Sequence, residues 1–115
     1  MAIGERIDFQ DTGDWWEIRK FITVGIEREY RRIAIDSQSL DEHPEKIGEL
    51  SQAVDHMVLA STLSWSYGDL TIDILHSEVP AHHYGQVTER MMSLYLPLLL
   101  SNLERLVNNY QLASS

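Results

Sequence analysis

The chain has no cysteine, which excludes disulfide bonds, thiolate nucleophiles and thiolate metal ligands together. Its six glycines stand singly, so the sequence contains no glycine-rich loop that could cradle a phosphate or a dinucleotide. A G-x-S-x-G nucleophile motif is also missing. These absences favour a protein that is not an enzyme, and the sequence assigns no catalytic and no cofactor-binding residue.

Basic residues are scarce beyond the first third of the chain. Residues 33–115 contain eleven acidic residues and only three basic ones, and the formal net charge of the whole chain is −9. An acidic surface repels phosphate backbones and anionic lipid headgroups. We therefore expect neither nucleic acid nor a membrane among the partners.

Long apolar runs are missing too. The longest apolar stretch covers residues 94–100 and contains Pro97, far short of the roughly 20 apolar residues of a membrane-spanning helix. The first residues lack the basic start and the apolar core of a secretory signal. With 115 residues the chain is long enough for a single domain, 1–115, with its own hydrophobic core.

The N-terminal residues alternate between apolar and polar side chains. This alternation predicts a β-hairpin within residues 1–21, in which residues 11–14 (DTGD) form the turn. Adjacent residues of a strand face opposite sides of a sheet. Of Trp15 and Trp16, we therefore expect one to pack on the helices and the other to be partly exposed.

The remainder of the chain has the apolar periodicity of helices. Thr23 is expected to cap the first helix, and Asp69 or Thr71 a later, short one. The predicted helices cover residues 22–37, 45–67, 71–77 and 82–110. Trp65 is in phase with the apolar positions of the second helix and is expected to anchor the core. The sequence thus predicts a mainly α fold, with an N-terminal β-hairpin followed by a small bundle of about four helices.

The last predicted helix has two apolar stripes, which together are wider than one core-facing surface requires. The first stripe is Val87, Met91, Leu94 and Leu98, and the second is Met92, Leu96, Leu99, Leu103, Leu106 and Tyr110. One stripe should be left over, so we expect a homo-oligomer that buries it. Pro97 is expected to kink or interrupt this helix.

Five histidines are the candidate metal ligands. Three of them, His76, His82 and His83, occur close together in the sequence beside Asp73 and Glu78. Zinc or iron could use such nitrogen and oxygen donors. However, the strong spacings H-E-x-x-H, H-x-H and E-x-x-H are missing, so the sequence assigns no metal site.

Two blocks of the sequence form a pair of motifs. The first block is residues 11–19 (DTGDWWEIR) and 21–25 (FITVG), and the second is residues 63–67 (LSWSY), 70–75 (LTIDIL) and 79–81 (VPA). The first block resembles the opening, and the second a later stretch, of the tail assembly chaperones of long-tailed, siphovirus-type bacteriophages. The two blocks occur in the family's order.

The resemblance implies a small, non-enzymatic protein that binds the tape-measure protein during tail assembly and helps to recruit tail-tube subunits. It also implies a location in the host cytoplasm during assembly, and absence from the mature virion. An amphipathic helix of the tape-measure protein would need an apolar groove. The candidate partner-binding residues are Trp15, Trp16, Leu96, Leu99, Leu103 and Leu106.

Two other functions stay open at this point. The first is a structural component of the phage virion, such as a neck or tail subunit, on the same hairpin-plus-helix scaffold. The second is a small metal-dependent helical enzyme that uses His56, His76, His82 and His83.

Overall fold

A computed structural model describes the backbone of residues 3–114 and the side chains of residues 3–100. The fold is mostly helical, with one three-stranded antiparallel sheet of order β1-β2-β3. The elements in chain order are β1 Gly4–Asp8, β2 Trp15–Arg19, α1 Val24–Gln38, a 3₁₀ turn Pro44–Lys46, α2 Ile47–Ala60, β3 Thr62–Trp65, α3 Ile72–Ser77 and α4 Ala81–Ser114.

The predicted β-hairpin is confirmed. β1 and β2 pair antiparallel, with Ile7 opposite Trp16 and Asp8 opposite Trp15. The turn between them is closed by a hydrogen bond from the Phe9 amide to the Asp14 carbonyl, 2.8 Å. Gly13 has a φ of 80°, a conformation that glycine adopts without steric cost.

The prediction of one helix over residues 45–67 is wrong for its last seven residues, 61–67. α2 ends at Ala60, and the chain then continues as strand β3 along β2, with Trp65 opposite Trp16. The Ser61 and Thr62 hydroxyls donate to the carbonyls of α2, at 2.8 and 2.7 Å, and so terminate the helix. The β3 strand also completes a sheet that would be marginal as a two-stranded hairpin.

Both threonine caps are confirmed. The Thr23 hydroxyl accepts a hydrogen bond from the Ile26 amide at the start of α1, and the Thr71 hydroxyl accepts one from the Ile74 amide at the start of α3. Each satisfies a backbone donor that the first turn of a helix leaves without a partner.

The hydrophobic core lies between one face of the sheet and the first half of α4. Trp16 and Tyr95 are its largest fully buried side chains. The Tyr95 hydroxyl donates to the Arg19 carbonyl, 2.7 Å, and so fixes α4 against the end of β2. The buried cluster contains Phe9, Trp16, Ile18, Val58, Trp65, Leu75, Val87, Met91 and Tyr95.

α4 is a helix of 34 residues that is not interrupted at Pro97. At 1.5 Å per residue it is about 51 Å long. The radius of gyration is accordingly 16.4 Å, larger than the roughly 13 Å of a compact chain of this length. Among the residues that the structure describes, no helix combines the length and the apolar character needed to cross a membrane.

An ion pair joins the edge strand β1 to α4. Arg90 donates two hydrogen bonds to the Glu5 carboxylate, at 2.5 and 2.7 Å. The hydrogen bond from Arg90 lowers the pKa of Glu5 below its ordinary value of 4.5. A carboxylate with a lowered pKa in the folded state stabilises the fold above its unfolded-state pKa, and loses this contribution as the pH falls.

We expect Glu5→Gln to lower the melting temperature at neutral pH, because the amide keeps a hydrogen-bonding shape but loses the charge. The difference in melting temperature between this variant and the native protein should be constant above about pH 5 and shrink steadily as the pH falls below about 4. Thermal unfolding followed by circular dichroism at a series of pH values measures it. A difference that grows on acidification would contradict the assigned pairing.

Candidate functional site: an apolar groove and a histidine–aspartate cluster

An apolar groove of ≈ 350 Å³ lies between three helices. We refer to it as the α1–α2–α4 groove. Each helix contributes residues spaced three or four positions apart, the spacing that places side chains on one face. The lining is Tyr30, Ile33, Ala34 and Ser37 from α1, Val54, Met57 and Val58 from α2, and Thr88, Met91 and Met92 from α4.

The floor of the groove is buried and its rim is exposed. Met57, Val58 and Met91 are buried, whereas Ala34 is exposed and Met92 keeps 48 % of its surface in contact with solvent. Among the residues whose side chains the structure describes, no charged side chain lines the groove. A surface groove of this kind offers apolar contact area to a partner, with few polar groups that the partner would have to desolvate.

Tyr30 is the main polar group of the groove. Its hydroxyl oxygen is buried and has no hydrogen-bond partner among the described residues. Burial raises the pKa of Tyr30 to about 12, so the hydroxyl is protonated at neutral pH and can donate a hydrogen bond. The ring packs edge-on against Tyr95, with centroids 6.1 Å apart.

The structure separates the candidate partner-binding residues. Trp16 is fully buried in the core, so Trp15 is the partly exposed member of the pair. Arg6 lies over the Trp15 ring at 4.7 Å. Leu96 is exposed and Leu99 is half-buried. The side chains of Leu103 and Leu106 lie outside the described residues.

The two apolar stripes of α4 have different environments. Val87 and Met91 of the first stripe are buried in the core. Met92 and Leu96 of the second stripe are each 48 % exposed, and Met92 also lines the groove. An apolar surface therefore extends from the groove along α4.

A second feature is a cluster of three side chains, Asp11, His82 and His83, which we call the Asp11 cluster. Asp11 lies in the hairpin turn and the two histidines lie in the first turn of α4. The Asp11 carboxylate is 2.6 Å from His82 Nε2 and 2.9 Å from His83 Nε2. These contacts join residues 71 and 72 positions apart in the sequence.

His83 is held on every side. It is fully buried, its ring stacks on Phe9 at 3.8 Å, and its Nδ1 lies 2.8 Å from the Tyr67 hydroxyl. Hydrogen bonds to His82 and His83 lower the pKa of Asp11 to about 2. Burial, together with the charges of Asp14 and Asp11, raises the pKa of Tyr67. Around neutral pH the aspartate is therefore charged and the tyrosine is neutral.

A third group of polar side chains lies at the C-terminal end of α3. His76 Nε2 is 2.8 Å from Asp55 Oδ2, and the Tyr84 hydroxyl donates to Asp55 Oδ1, also at 2.8 Å. These side chains line an open surface hollow of ≈ 350 Å³. The arrangement brings together one histidine and one carboxylate, too few donors for a metal site.

The structure thus regroups the histidines that the sequence placed together. His76 pairs with Asp55, whereas His82 and His83 meet Asp11 rather than Asp73 or Glu78. Sequence spacing contained no signal for Asp11, because the fold alone brings the hairpin turn to the start of α4.

Comparisons of the chain with models of protein families, with curated proteins and with solved structures found no match.

Proposed function

We propose that this protein is a non-enzymatic tail assembly chaperone of a long-tailed bacteriophage, which binds a helical segment of the tape-measure protein in the α1–α2–α4 groove. In this proposal α1, α2 and α4 act as the small helical bundle of the domain. The chain would also help to recruit tail-tube subunits. It would work in the host cytoplasm during assembly and be absent from the mature virion.

The observation that carries the proposal is the shape and composition of the groove. Three helices line it with residues three and four positions apart, so its walls have the ridges against which another helix packs. Helix-in-groove recognition uses an apolar face with anchors at i, i+3, i+4 and i+7. The exposed Met92 and Leu96 extend the same surface along α4.

The methionine side chains in the groove favour binding of helices with different sequences. Met57, Met91 and Met92 all line it. Methionine side chains are unbranched and polarizable, and they adapt to different apolar partners. Such a lining suits a chaperone that holds successive segments of one long helical protein.

Charge supports the choice of partner. The chain carries a formal net charge of −9, which helps to keep a protein with exposed apolar surface in solution. An excess of negative charge on the chain favours amphipathic helices with basic flanks as partners. The resemblance of residues 11–25 and 63–81 to the phage chaperones is the second, independent support.

The test is co-expression with the tape-measure protein and co-purification on a tag placed on that partner. The variant Ala34→Asp with Met92→Asp puts two charges into the rim of the groove, where both side chains are exposed in the free protein. We expect it to weaken the complex at least about 30-fold, because each anchor of such an interface contributes about 2 kcal/mol or more.

Ile35→Asp is the matched control. Ile35 is next to Ala34 on α1, is 67 % exposed, and does not line the groove. It should co-purify as the native protein does, and circular dichroism should show both variants folded. A complex that survives the groove variant, or that is lost in Ile35→Asp alone, would contradict the groove as the binding site.

Two further measurements separate the other functions. Mass spectrometry of purified phage particles that finds this chain in stoichiometric amounts would favour a virion structural component.

Light scattering of the free protein tests whether a second copy covers the groove, as the predicted homo-oligomer requires. Restoration of the monomer by Met92→Asp would identify the groove as the self-association surface.

A further inference from the structure

We propose that Asp11, His82 and His83 form a binding site for a divalent transition metal, with Zn²⁺ as the best-fitting ion. One ligand comes from the hairpin turn and two from the first turn of α4, so the metal would join the hairpin to the start of the last helix. The inference concerns the isolated protein and does not rest on the proposed function.

The donor set has the composition that Zn²⁺ prefers. Two imidazole nitrogens and one carboxylate oxygen lie within 4.8 Å of one another. Ligands placed tetrahedrally about 2.0–2.1 Å from Zn²⁺ are separated by roughly 3.3 Å. The Asp11 oxygens are 2.6 Å from His82 Nε2 and 2.9–3.1 Å from His83 Nε2, so each of these two carboxylate–imidazole separations needs to widen by less than about 1 Å.

The three residues differ in exposure in a way that suits a metal at the surface. His83 is buried and packed between Phe9 and Tyr67, whereas the side chains of His82 and Asp11 are 61 % and 50 % exposed. An ion can therefore reach the site directly from solvent. Three protein ligands leave the fourth tetrahedral position for water or another ligand.

Tyr67 acts as a positioning residue for His83. In zinc sites, the second nitrogen of a ligating histidine is almost always hydrogen-bonded, and that bond fixes the tautomer. Without metal, the Asp11 carboxylate accepts from His83 Nε2–H in the tautomer that carries its proton there, and Nδ1 of that tautomer accepts from the Tyr67 hydroxyl. With metal on Nε2, the proton is on Nδ1 and is donated to the Tyr67 oxygen.

Negative side chains near the Asp11 cluster partly offset the unfavourable effect of a helix N-terminus on a bound cation. The N-terminus of α4 carries partial positive charge, which disfavours a cation. Asp11 contributes a full negative charge at the site, and Asp14 lies close enough to raise the pKa of Tyr67. The carboxylates thus counter the helix dipole where the ion would bind.

The experiment uses tag-free protein, because a polyhistidine tag would itself bind the metal. After treatment with a chelator and its removal, Zn²⁺ is titrated by isothermal calorimetry. We expect one ion per chain. Asp11→Asn and His82→Ala, which change exposed side chains, should each weaken binding by at least about tenfold.

His76→Ala is the matched control. His76 is exposed and lies 2.8 Å from the Asp55 carboxylate. Like His82 it pairs with a carboxylate, but among the described residues it belongs to no group of three or more metal-binding side chains. Its affinity for Zn²⁺ should equal that of the native protein. If His76→Ala weakens binding as much as His82→Ala, or if native protein binds no tighter than Asp11→Asn, the Asp11 cluster is only an ion pair and the proposal fails.

Tyr67→Phe tests the positioning role. It should weaken Zn²⁺ binding by about tenfold while the stoichiometry stays at one ion per chain. In ¹⁵N spectra of the histidine rings, the His83 proton should move from Nε2 to Nδ1 when Zn²⁺ is added. An unchanged affinity in Tyr67→Phe, or a His83 tautomer that does not respond to Zn²⁺, would overturn this role.

Discussion

Replacing Trp16 by alanine is expected to remove most of the stability of the domain. The side chain is fully buried at the centre of the sheet, and its indole N–H donates to the Thr62 hydroxyl at 2.8 Å. Its loss leaves a large cavity between β2 and α4, and removing a buried aromatic side chain costs about 3–5 kcal/mol. Because a domain of this kind is stable by only about 5–15 kcal/mol, the variant should be marginal or unfolded.

Trp15→Ala is the matched control for this measurement. Trp15 is the neighbouring residue on the opposite face of β2, half-buried, with its ring under the Arg6 guanidinium. Such an exposed cation–π contact contributes about 0.5–1 kcal/mol. Urea denaturation should therefore separate the two variants clearly. Equal losses in Trp15→Ala and Trp16→Ala would show that the two faces of the sheet are buried alike.

Trp65→Ala is the second change with a large expected effect. Trp65 is 6 % exposed and packs edge-on against Trp16 and Tyr67, with ring centroids 5.0 and 5.5 Å away. Its indole N–H donates to the carbonyl of Gly68 at 2.9 Å. We expect a loss of about 3–5 kcal/mol in the free energy of unfolding.

Trp65→Phe separates the packing from the hydrogen bond. Phenylalanine keeps an aromatic ring in the core but cannot donate to the Gly68 carbonyl. That bond is worth about 0.5–1.5 kcal/mol, so Trp65→Phe should be clearly more stable than Trp65→Ala. A fall in melting temperature of only a degree or two in Trp65→Ala would mean that the side chain is not part of the core.

Local signals in the sequence predicted much of the fold. The DTGD turn and the alternation around it fixed the hairpin, and Thr23 and Thr71 are caps because their hydroxyls can accept from the first helical amides. These features depend on neighbours within a few residues. They are therefore visible before any tertiary contact is known.

Strand β3 could not be predicted from the same signals. Val54, Met57, Ser61 and Trp65 have helical spacing, but the chain leaves α2 after Ala60 because β2 offers a free edge. A two-stranded hairpin is only marginally stable, which indicates that a further segment must pair with it or pack on it. Local sequence signals do not identify that segment. The choice is a tertiary one, made by the pairing of Trp65 with Trp16.

The two candidate functional sites also depend on tertiary contacts that the sequence does not show. The stripe of Tyr30, Ile33, Ala34 and Ser37 can be read from α1 alone, but only the packing of three helices makes a groove of it. The Asp11 cluster had no spacing to suggest it. Trp16 and Trp65, which lie in the two stretches that resemble the phage chaperones, are both buried in the core.

The contacts that hold the hairpin in place come from residues synthesised much later. The Arg19 carbonyl accepts a hydrogen bond from Tyr95, 76 positions further along the chain, and the Glu5 carboxylate accepts from Arg90, 85 positions further along. At about 5–20 residues per second, the ribosome takes roughly 4–15 s to add 76 residues. During that interval the N-terminal strands have no α4 to cover their tryptophan, and folding of the sheet must wait for the second half of the chain.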